Sequence, residues 1–415
     1  MKRKILSAVC ALVLVFGAAA SPAVVETVKD SFVTASAAVG DTFWNESGTM
    51  FFKVTGSNTV ALIEFRNISG SVTVPAEVKG YKVTSIEKDY WGIWVDDNIT
   101  ELYLPEGMTY ICEQAFTGMS ALNYVKFPST LDYIGIAAFA RTNIKNADLS
   151  GTRLTYVGDS AFAYNTSLKS ISFPDTLIQI NGHMCEECTG LETVVLPAEL
   201  EKIGYCAFSH TKIKSVDIPG TCEEIESHSF YDCSQLESVT LNEGIMSIGA
   251  SAFRSTPLIK SVVIPGSVQS VSESAFKECS SLSSVTLNEG LKTIGKDAFR
   301  DTALTSIFIP KSVTSIGDYA FLIGQKSCRI QGYPGTEAEL YANRRGQLID
   351  TPEGFKFGDI NDDGKIDLID IMLLKRFMLN LETFDPKMKS RADAHRDYKV
   401  DTLDLMGIKR NILGI

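Results

Sequence analysis

The segment Leu304-Thr-Ser-Ile-Phe-Ile-Pro310 decides the fold, because the same pattern of residues recurs along the middle of the chain. Polar residues alternate in it with apolar, β-branched ones, which is typical of a short strand, and the proline that follows ends that strand. Leu191-Glu-Thr-Val-Val-Leu-Pro197 is another copy. Downstream of each strand the chain carries an Ile or Val and, five residues later, a position that is nearly always Phe.

This Phe marks the repeat and sets its period at 22 or 23 residues. The ten marker positions are Phe116, Phe139, Phe162, Cys185, Phe208, Phe230, Phe253, Phe276, Phe299 and Phe321. One such unit cannot bury its apolar face alone, so the units are expected to stack, with their strands paired in parallel about 4.8 Å apart. The sequence therefore predicts a solenoid.

The strand and the Ile-Gly-x-x-Ala-Phe segment after it resemble the BspA-like leucine-rich repeats of bacterial surface proteins. The resemblance implies an α/β solenoid of leucine-rich repeats with a C-terminal cap over residues 86–350, and an N-terminal β cap over residues 40–85. Caps are expected at both ends because an open solenoid end exposes its core and its sheet edge.

Near the C-terminus, the run Asp359-Ile-Asn-Asp-Asp-Gly-Lys-Ile-Asp-Leu-Ile-Asp370 has the pattern of a calcium loop. Oxygen-bearing side chains stand at loop positions 1, 3, 5, 9 and 12, and Gly364 at position 6 allows the sharp turn that directs them inward. A second copy begins 34 residues later, at Asp393. Each loop leads into a helix with a matching apolar stripe, which is Ile371, Leu374 and Met378 in one copy and Leu405, Ile408 and Ile412 in the other.

Together the two copies, residues 357–415, resemble a type I dockerin, a small all-α calcium-binding module that binds the cohesin domain of a scaffoldin in cellulosomes. The resemblance implies two Ca²⁺ sites. The ligands of the first are Asp359, Asn361, Asp363, the carbonyl of Lys365, Asp367 and Asp370. Those of the second are Asp393, His395, Asp397, the carbonyl of Lys399, Asp401 and Asp404.

The second site is expected to be the weaker one. His395 offers a nitrogen to a hard cation, and Tyr398 stands at loop position 6, where a positive φ costs a residue other than glycine about 1–2 kcal/mol.

The resemblance also implies which residues bind the partner, namely loop positions 10 and 11 and a Lys-Arg pair further along each helix. These are Leu368, Ile369, Lys375 and Arg376 in the first copy, and Thr402, Leu403, Lys409 and Arg410 in the second. The basic pairs match between the copies and positions 10 and 11 match less well, so binding in two orientations related by 180° is left open. The alternative for each basic pair is ordinary solvation of a helix surface.

The N-terminus has the order of a secretory signal: basic residues in Met1-Lys-Arg-Lys4, an apolar run and then small residues. We expect residues 1–23 to be removed, with cleavage as late as residue 37 left open. No other stretch reaches the roughly 18 apolar residues of a membrane span. A net charge of −11 argues against nucleic acid or anionic membranes as partners. The protein is thus expected to be secreted and held at a cell surface or in a cellulosome through a cohesin, with residues 351–356 as a short linker.

The pair Cys185 and Cys188 has the spacing of a redox or zinc motif, but the repeat explains it otherwise. Cys185 takes the Phe position, and Cys188, Cys233 and Cys279 fall three residues after it, where other repeats carry Thr. A small buried side chain is therefore expected there, and disulfides between stacked turns are left open. His183, His210 and His228 are expected to be plain turn histidines without ligand partners.

The outward-facing position of each strand carries charges whose sign changes often along the stack. These positions are Lys145, Lys169, Glu192, Lys214, Glu237, Lys260, Ser283 and Thr305. We predict a ladder of ion pairs, with a polar binding surface as the alternative. Trp91, Trp94, Tyr103 and Tyr124 form either a stacking platform for sugar rings or part of the packing beneath the cap.

The sequence therefore favours a protein without enzymatic activity, whose dockerin attaches a leucine-rich-repeat recognition or adhesion module to a cellulosome-like scaffold. The ligand of the repeats is expected to be a protein or a glycan. The alternative makes the solenoid an enzyme, or a regulator such as a protease-blocking surface. Its enzyme version lacks a recognisable nucleophile, metal cage or cofactor loop in the sequence.

Overall fold

The computed structural model of the protein describes residues 37–88, 98–324, 326–347, 349–351, 356–394 and 399–414. The predicted signal segment, Trp91, Trp94, most of the predicted linker, and His395, Asp397 and Tyr398 lie outside these ranges. Among the described residues, no helix has the length and apolar composition that crossing a membrane requires.

Between residues 37 and 88, six strands precede the repeats. They are β1 (Thr42–Trp44), β2 (Met50–Val54), β3 (Thr59–Phe65), β4 (Gly70–Thr73), β5 (Glu77–Val78) and β6 (Tyr81–Ile86). Strands β1, β2 and β3 form an antiparallel meander, and β3 then pairs in parallel with β6. Apolar residues on these strands, including Phe52 and Val60, are fully buried. This region is therefore a β-sheet with a buried apolar face, and its strands continue into the sheets of the repeats.

The first strand of each repeat is the one that the sequence predicts. These strands are β7 (Ile99–Tyr103), β9 (Tyr124–Lys126), β11 (Asn146–Asp148), β13 (Ser170–Ser172), β15 (Thr193–Val195), β17 (Ser215–Ile218), β19 (Ser238–Leu241), β21 (Ser261–Ile264), β23 (Ser284–Leu287) and β25 (Ser306–Phe308). Neighbours pair in parallel, as in β17 with β19, and β4 starts the series by pairing with β7. Their burial alternates along the strand, which confirms the predicted period of two.

A second series of strands, each two residues long, follows the first in every repeat. These are β8 (Tyr110–Ile111), β10 (Tyr133–Ile134), β12 (Tyr156–Val157), β14 (Gln179–Ile180), β16 (Lys202–Ile203), β18 (Glu224–Ile225), β20 (Ser247–Ile248), β22 (Ser270–Val271), β24 (Thr293–Ile294) and β26 (Ser315–Ile316). Each ends on the Ile or Val that lies five residues before the Phe position. The series pairs in parallel, and β6 joins it through β8.

The Phe side chains lie on the third side of each turn and stack through the core. Consecutive rings have centroids 5.2–5.5 Å apart from Phe116 to Phe162 and again 5.2–5.5 Å apart from Phe208 to Phe321. Cys185 interrupts the column and is itself fully buried. The repeated Phe is thus the continuous apolar core of the solenoid.

The cysteines three residues after the Phe position are small buried side chains, as predicted. The thiols of Cys188, Cys233 and Cys279 each donate to the carbonyl of a Phe in the preceding turn at 3.1 Å. Thr256, in the same column, donates its hydroxyl to the carbonyl of Phe253 at 2.7 Å. All eight cysteines in the described part of the chain are buried, and each is a free thiol, so none of these eight forms a disulfide between stacked turns.

The solenoid ends in β27 (Leu322–Ile323), β28 (Lys326–Ser327), β29 (Arg329–Gln331) and α1 (Glu337–Arg344). β29 pairs in parallel with β25, and Ala338, Tyr341 and Ala342 of α1 are buried. No helix occurs in the described repeats, so the helices of this α/β chain are α1 and those that follow it.

In the described residues after α1, the chain forms three helices: α2 (Leu368–Met378), α3 (Pro386–Ala392) and α4 (Thr402–Leu413). They enclose a small core built on Ile360, Ile371, Leu374, Phe384 and Ile408. The predicted apolar stripes of both copies belong to this core or pack directly against it.

Candidate functional site

The first calcium loop is held closed by the carboxylates at its two ends. Asp359 accepts hydrogen bonds from the N–H groups of Asp363 at 3.1 Å and Gly364 at 2.9 Å. Gly364 has a φ of +84°, the left-handed turn for which a glycine is suited. Asp370 accepts from the N–H groups of Ile360 at 2.7 Å and Asp367 at 2.9 Å. Positions 1 and 12 of the loop are therefore tied to its backbone.

Within the loop, Asn361 and Asp363 complete an oxygen-rich turn. Asn361 donates from its side-chain amide to Asp363 at 2.8 Å, and Asp363 accepts from the N–H of Lys365 at 2.9 Å. The hydrogen bond from Asn361, followed by that from Lys365, lowers the pKa of the Asp363 carboxyl. This carboxyl is thus stabilised in the charged form that a metal ligand needs.

The donor set of the loop fits Ca²⁺. The side chains of Asp359 and Asp370 are 1% and 0% exposed, and an ionised carboxylate is costly to bury without a compensating cation. Among the described residues neither of them has a salt bridge, since the nearby Lys387 and Arg391 pair with Asp362 instead. Buried carboxylate, amide and carbonyl oxygens are the ligands that a hard divalent cation prefers.

The second copy repeats the first where the structure describes it. Asp401 accepts from the N–H of Leu403 at 2.7 Å and so caps α4, as Asp367 caps α2 by accepting from Ile369 at 2.7 Å. The carboxylate of Asp404 accepts from the N–H of Asp401 at 2.8 Å. Asp404 and Asp393 are both buried, and Lys399 lies just before α4. Because His395, Asp397 and Tyr398 lie outside the described residues, a weaker second site stays a prediction.

All eight residues predicted to bind the partner lie on the surface of α2 and α4. They are Leu368, Ile369, Lys375, Arg376, Thr402, Leu403, Lys409 and Arg410. Leu368 is 72% exposed and Ile369 47% exposed, so two adjacent apolar side chains face solvent at the start of α2. Arg376 forms a salt bridge with Glu382 at 3.0 Å, which holds its guanidinium beside the helix.

Four more exposed apolar residues extend these surfaces, and the sequence analysis does not identify them. Met372 on α2 and Leu379, which caps the C-terminus of α2, are 52% and 68% exposed, and Met406 and Leu413 on α4 are 48% and 69% exposed. With the predicted residues they follow helical spacing along one stripe of each helix. Their signal in the sequence is the 34-residue offset at positions that the core stripe does not use.

Two sets of solenoid residues are singled out from the sequence, namely the charged residues on the strands and the aromatic residues near the N-terminal end. Glu192 lies 3.7 Å from Lys169 and 2.6 Å from Lys214, which confirms the ion ladder in these three turns. Tyr103 and Tyr124 lie side by side, with ring centroids 5.6 Å apart. Since Trp91 and Trp94 lie outside the described residues, the four-residue aromatic platform stays a prediction.

Comparisons with known proteins agree with both parts of this architecture. The family model for the BspA type leucine rich repeat region matches residues 92–214 and 201–326, in six copies, and that for the dockerin type I domain matches residues 357–413. No curated protein matches the chain.

Solved structures of bacterial leucine-rich-repeat proteins are similar to the chain. One from Bacteroides ovatus is 25% identical, with a TM-score of 0.44, over 69% of this chain and 93% of its own. A leucine-rich cell surface protein from Faecalibacterium prausnitzii is 21% identical, with a TM-score of 0.46, over 75% of this chain and 94% of its own.

Neither of the matched families is catalytic, and a dockerin implies calcium-dependent attachment to a cohesin. The BspA-type match alone spans more than half of the 415 residues. The chain therefore belongs to the BspA type leucine-rich-repeat family, and it carries a C-terminal type I dockerin domain.

Proposed function

We propose that the protein is secreted and that its dockerin attaches the solenoid, as a recognition or adhesion module, to the cohesin domain of a cellulosome-like scaffoldin. The observation that carries this proposal is the duplicated surface of α2 and α4. Each helix presents exposed apolar residues together with a Lys-Arg pair, at matching positions beside a carboxylate loop. Such a stripe is costly to expose to water and gains free energy when a partner covers it.

Calcium in this proposal holds the docking helices in place. When bound, Ca²⁺ supplies the positive charge that balances the carboxylates of each loop. Asp367 and Asp370 connect the first loop to the start of α2 through hydrogen bonds to its first turn. The same carboxylates that would hold the ion thus also fix the direction in which α2 leaves the loop.

The duplication supports binding in two orientations. Rotating the module by 180° exchanges the stripe on α2 for that on α4, and Met372 and Leu379 then take the places of Met406 and Leu413. The Lys-Arg pairs exchange as well. Leu368 and Thr402 differ, so we expect the two orientations to have unequal affinities.

The test is calorimetric titration of the full-length protein with candidate cohesins, with Ca²⁺ and with EGTA. We expect binding only with Ca²⁺. Substituting both basic pairs, K375A/R376A with K409A/R410A, should abolish binding, and either pair alone should leave a single orientation with weaker affinity. Lys389→Ala is the matched control, because Lys389 is an exposed lysine of the same module, on α3 and outside both stripes. Binding of a cohesin that is unchanged by EGTA would refute the docking function.

For the solenoid we propose a glycan ligand, bound where the N-terminal sheet meets the first repeats. A cleft of about 560 Å³ lies there, lined mainly by polar groups, including Thr84, Glu87 and Glu113. Tyr110 forms one wall and stacks on Tyr133 with centroids 4.8 Å apart. Hydroxyls and carboxylates next to a fixed aromatic ring are the groups with which proteins hold sugar rings.

Binding of the full-length protein to insoluble wall polysaccharides tests this proposal. We expect Tyr110→Ala to release the protein from the polysaccharide that wild type binds. Tyr319→Ala is the control, because Tyr319 is similarly exposed, at 43% against 37% for Tyr110, near the other end of the solenoid. Equal loss in both variants, or retention by Tyr110→Ala, would contradict a glycan site in this cleft.

A further inference from the structure

Three side chains of different chemistry converge on the turns around the interruption of the Phe column. The ligand atoms of His183, Glu186 and Cys206 all lie within 4.8 Å of one another. His183 Nδ1 is 3.0 Å from Glu186 Oε2. The sequence analysis finds no ligand partner for His183, because the nearby thiol belongs to the next turn, 23 residues further along the chain.

The solenoid places these residues by register. His183 and Cys206 both lie two residues before the Phe position of their turn, and both have left-handed backbone, with φ of +54° and +53°. The N–H of His183 donates to the carbonyl of Tyr205 at 2.7 Å, and that of Cys206 donates to Ser227 at 3.2 Å. The two Cα positions are therefore fixed one above the other before any ligand arrives.

The fold does not need these side chains. In the turns that contain Phe139 and Phe162, the positions equivalent to His183, Glu186 and Cys206 are Ala137, Ala140 and Ser160, which cannot form such a cluster. Ala137 has the same left-handed backbone, with φ of +53°. Among the described residues, His183, Glu186 and Cys206 are the one group of three His, Cys and carboxylate side chains whose ligand atoms all lie within 4.8 Å of one another. The cluster is thus a local addition to a repeat that folds without it.

We propose that His183, Glu186 and Cys206 bind a Zn²⁺ ion in the solenoid, independently of calcium and of cohesin docking. Thiolate, imidazole and carboxylate together are a donor set that suits zinc and not a hard cation. Bonds of about 2.0–2.3 Å in a tetrahedral site put the ligand atoms roughly 3.3–3.8 Å apart. The longest separations, at most 4.8 Å now, therefore close by up to about 1 Å when the ion binds, while His183 Nδ1 and Glu186 Oε2, now 3.0 Å apart, separate slightly. The His183 side chain is 37% exposed, which leaves the fourth position to water.

Cobalt substitution tests this site directly. Full-length protein with excess Ca²⁺, which occupies the carboxylate loops, is titrated with Co²⁺ and then with competing Zn²⁺. We expect one equivalent of Co²⁺ to bind with a thiolate-to-cobalt charge-transfer band, and Zn²⁺ to remove that band. His183→Gln and Cys206→Ala should each weaken Zn²⁺ binding by about 100-fold or more.

Matched controls separate this site from other histidines. His210→Gln should keep the band, because His210 lies 3.0 Å from Asp232 without a thiol among its polar contacts. His395→Gln, in the second calcium loop, should keep it too. Circular dichroism of each variant establishes that it folds. We expect His183→Gln to fold, because the His183 side chain is partly exposed. A band that persists in Cys206→Ala, or one equivalent of bound Co²⁺ without a thiolate band in wild type, would overturn the proposal.

Discussion

The ring of Phe253 provides the sharpest test of how the solenoid is held together. It is fully buried between Phe230 and Phe276, with centroids 5.2 Å away on both sides and ring planes 1° and 9° apart. Replacing it with Ala forfeits roughly 1.5–3 kcal/mol of hydrophobic burial. The void of roughly 100 Å³ adds about 2.4 kcal/mol at about 24 cal/mol per Å³. We therefore expect Phe253→Ala to lower the free energy of local unfolding by about 4–5 kcal/mol.

Amide hydrogen exchange is the suitable assay, because repeat proteins unfold locally as well as globally. The N–H groups of Phe230 and Phe253 donate to the next turn at 2.8 Å, and their protection should fall by about 1,000-fold, since each 1.4 kcal/mol is a factor of about ten. Cys185→Ala is the control at the same register and should cost only about 1 kcal/mol. A loss of protection below tenfold in Phe253→Ala would refute the idea that the column of stacked Phe rings stabilises the solenoid. An equal loss in Cys185→Ala would refute it as well.

Three further outcomes follow from the structure. Removing Ca²⁺ with EGTA should unfold α2 and α4 and leave the solenoid intact, because Asp359 and Asp370 are then buried without a cation. Helix content that stays unchanged by circular dichroism would count against this. Thr256→Val should lower the free energy of unfolding in urea by about 1–2 kcal/mol, because it removes the hydroxyl that donates to the Phe253 carbonyl at 2.7 Å. Thr109→Val is the control and should cost less, because the hydroxyl of Thr109 donates to the Thr84 carbonyl at a longer 3.4 Å. Stability should also fall at alkaline pH, because burial raises the pKa of three thiols to about 12 and the folded state keeps protons that the unfolded state loses above a pH of about 8.5. The urea midpoint should drop steadily from there toward a pH of about 11, and replacing these thiols by Ala should make the drop smaller. The three are Cys222, Cys233 and Cys328.

The solenoid is predictable from sequence because each turn places the same two apolar side chains in the core. The second series of strands is not, since two residues such as Tyr133 and Ile134 are too short to show a period of two. The residues with left-handed backbone are not predictable from the sequence either. Ala137 and Arg141 have φ of +53° and +58°, and residue type alone gives no warning of it. Their backbone cost of roughly 1–2 kcal/mol is offset because the alternation directs the N–H groups of Ala137, Phe139 and Arg141 to the next turn at 2.8–2.9 Å.

The candidate sites divide in the same way. The spacing of Asp359 and Asp370 indicates a calcium loop because all its side chains come from one continuous segment. The exposed Met372 and Met406 carry a weaker signal, because only their 34-residue offset, outside the core stripe, distinguishes them from core residues before their solvent exposure is known. The cluster of His183 and Cys206 escapes sequence reasoning for a different reason, since contact between turns depends on a register that spacing alone does not reveal.

The cap helix α1 also follows from the direction of these turn hydrogen bonds. In every stacked turn the N–H of the Phe position donates toward the C-terminal end, as Phe299 does to Ala320 at 2.8 Å. The last turn has no further repeat to accept from it, and a buried N–H without an acceptor costs roughly 1–3 kcal/mol. The hydroxyl of the buried Tyr341 accepts the hydrogen bond from the N–H of Phe321 at 3.2 Å, while its ring packs edge-on against the last Phe of the column. One side chain of α1 thus ends both the polar ladder and the aromatic column, which is why a solenoid of this kind needs a helix at this end and a sheet at the other.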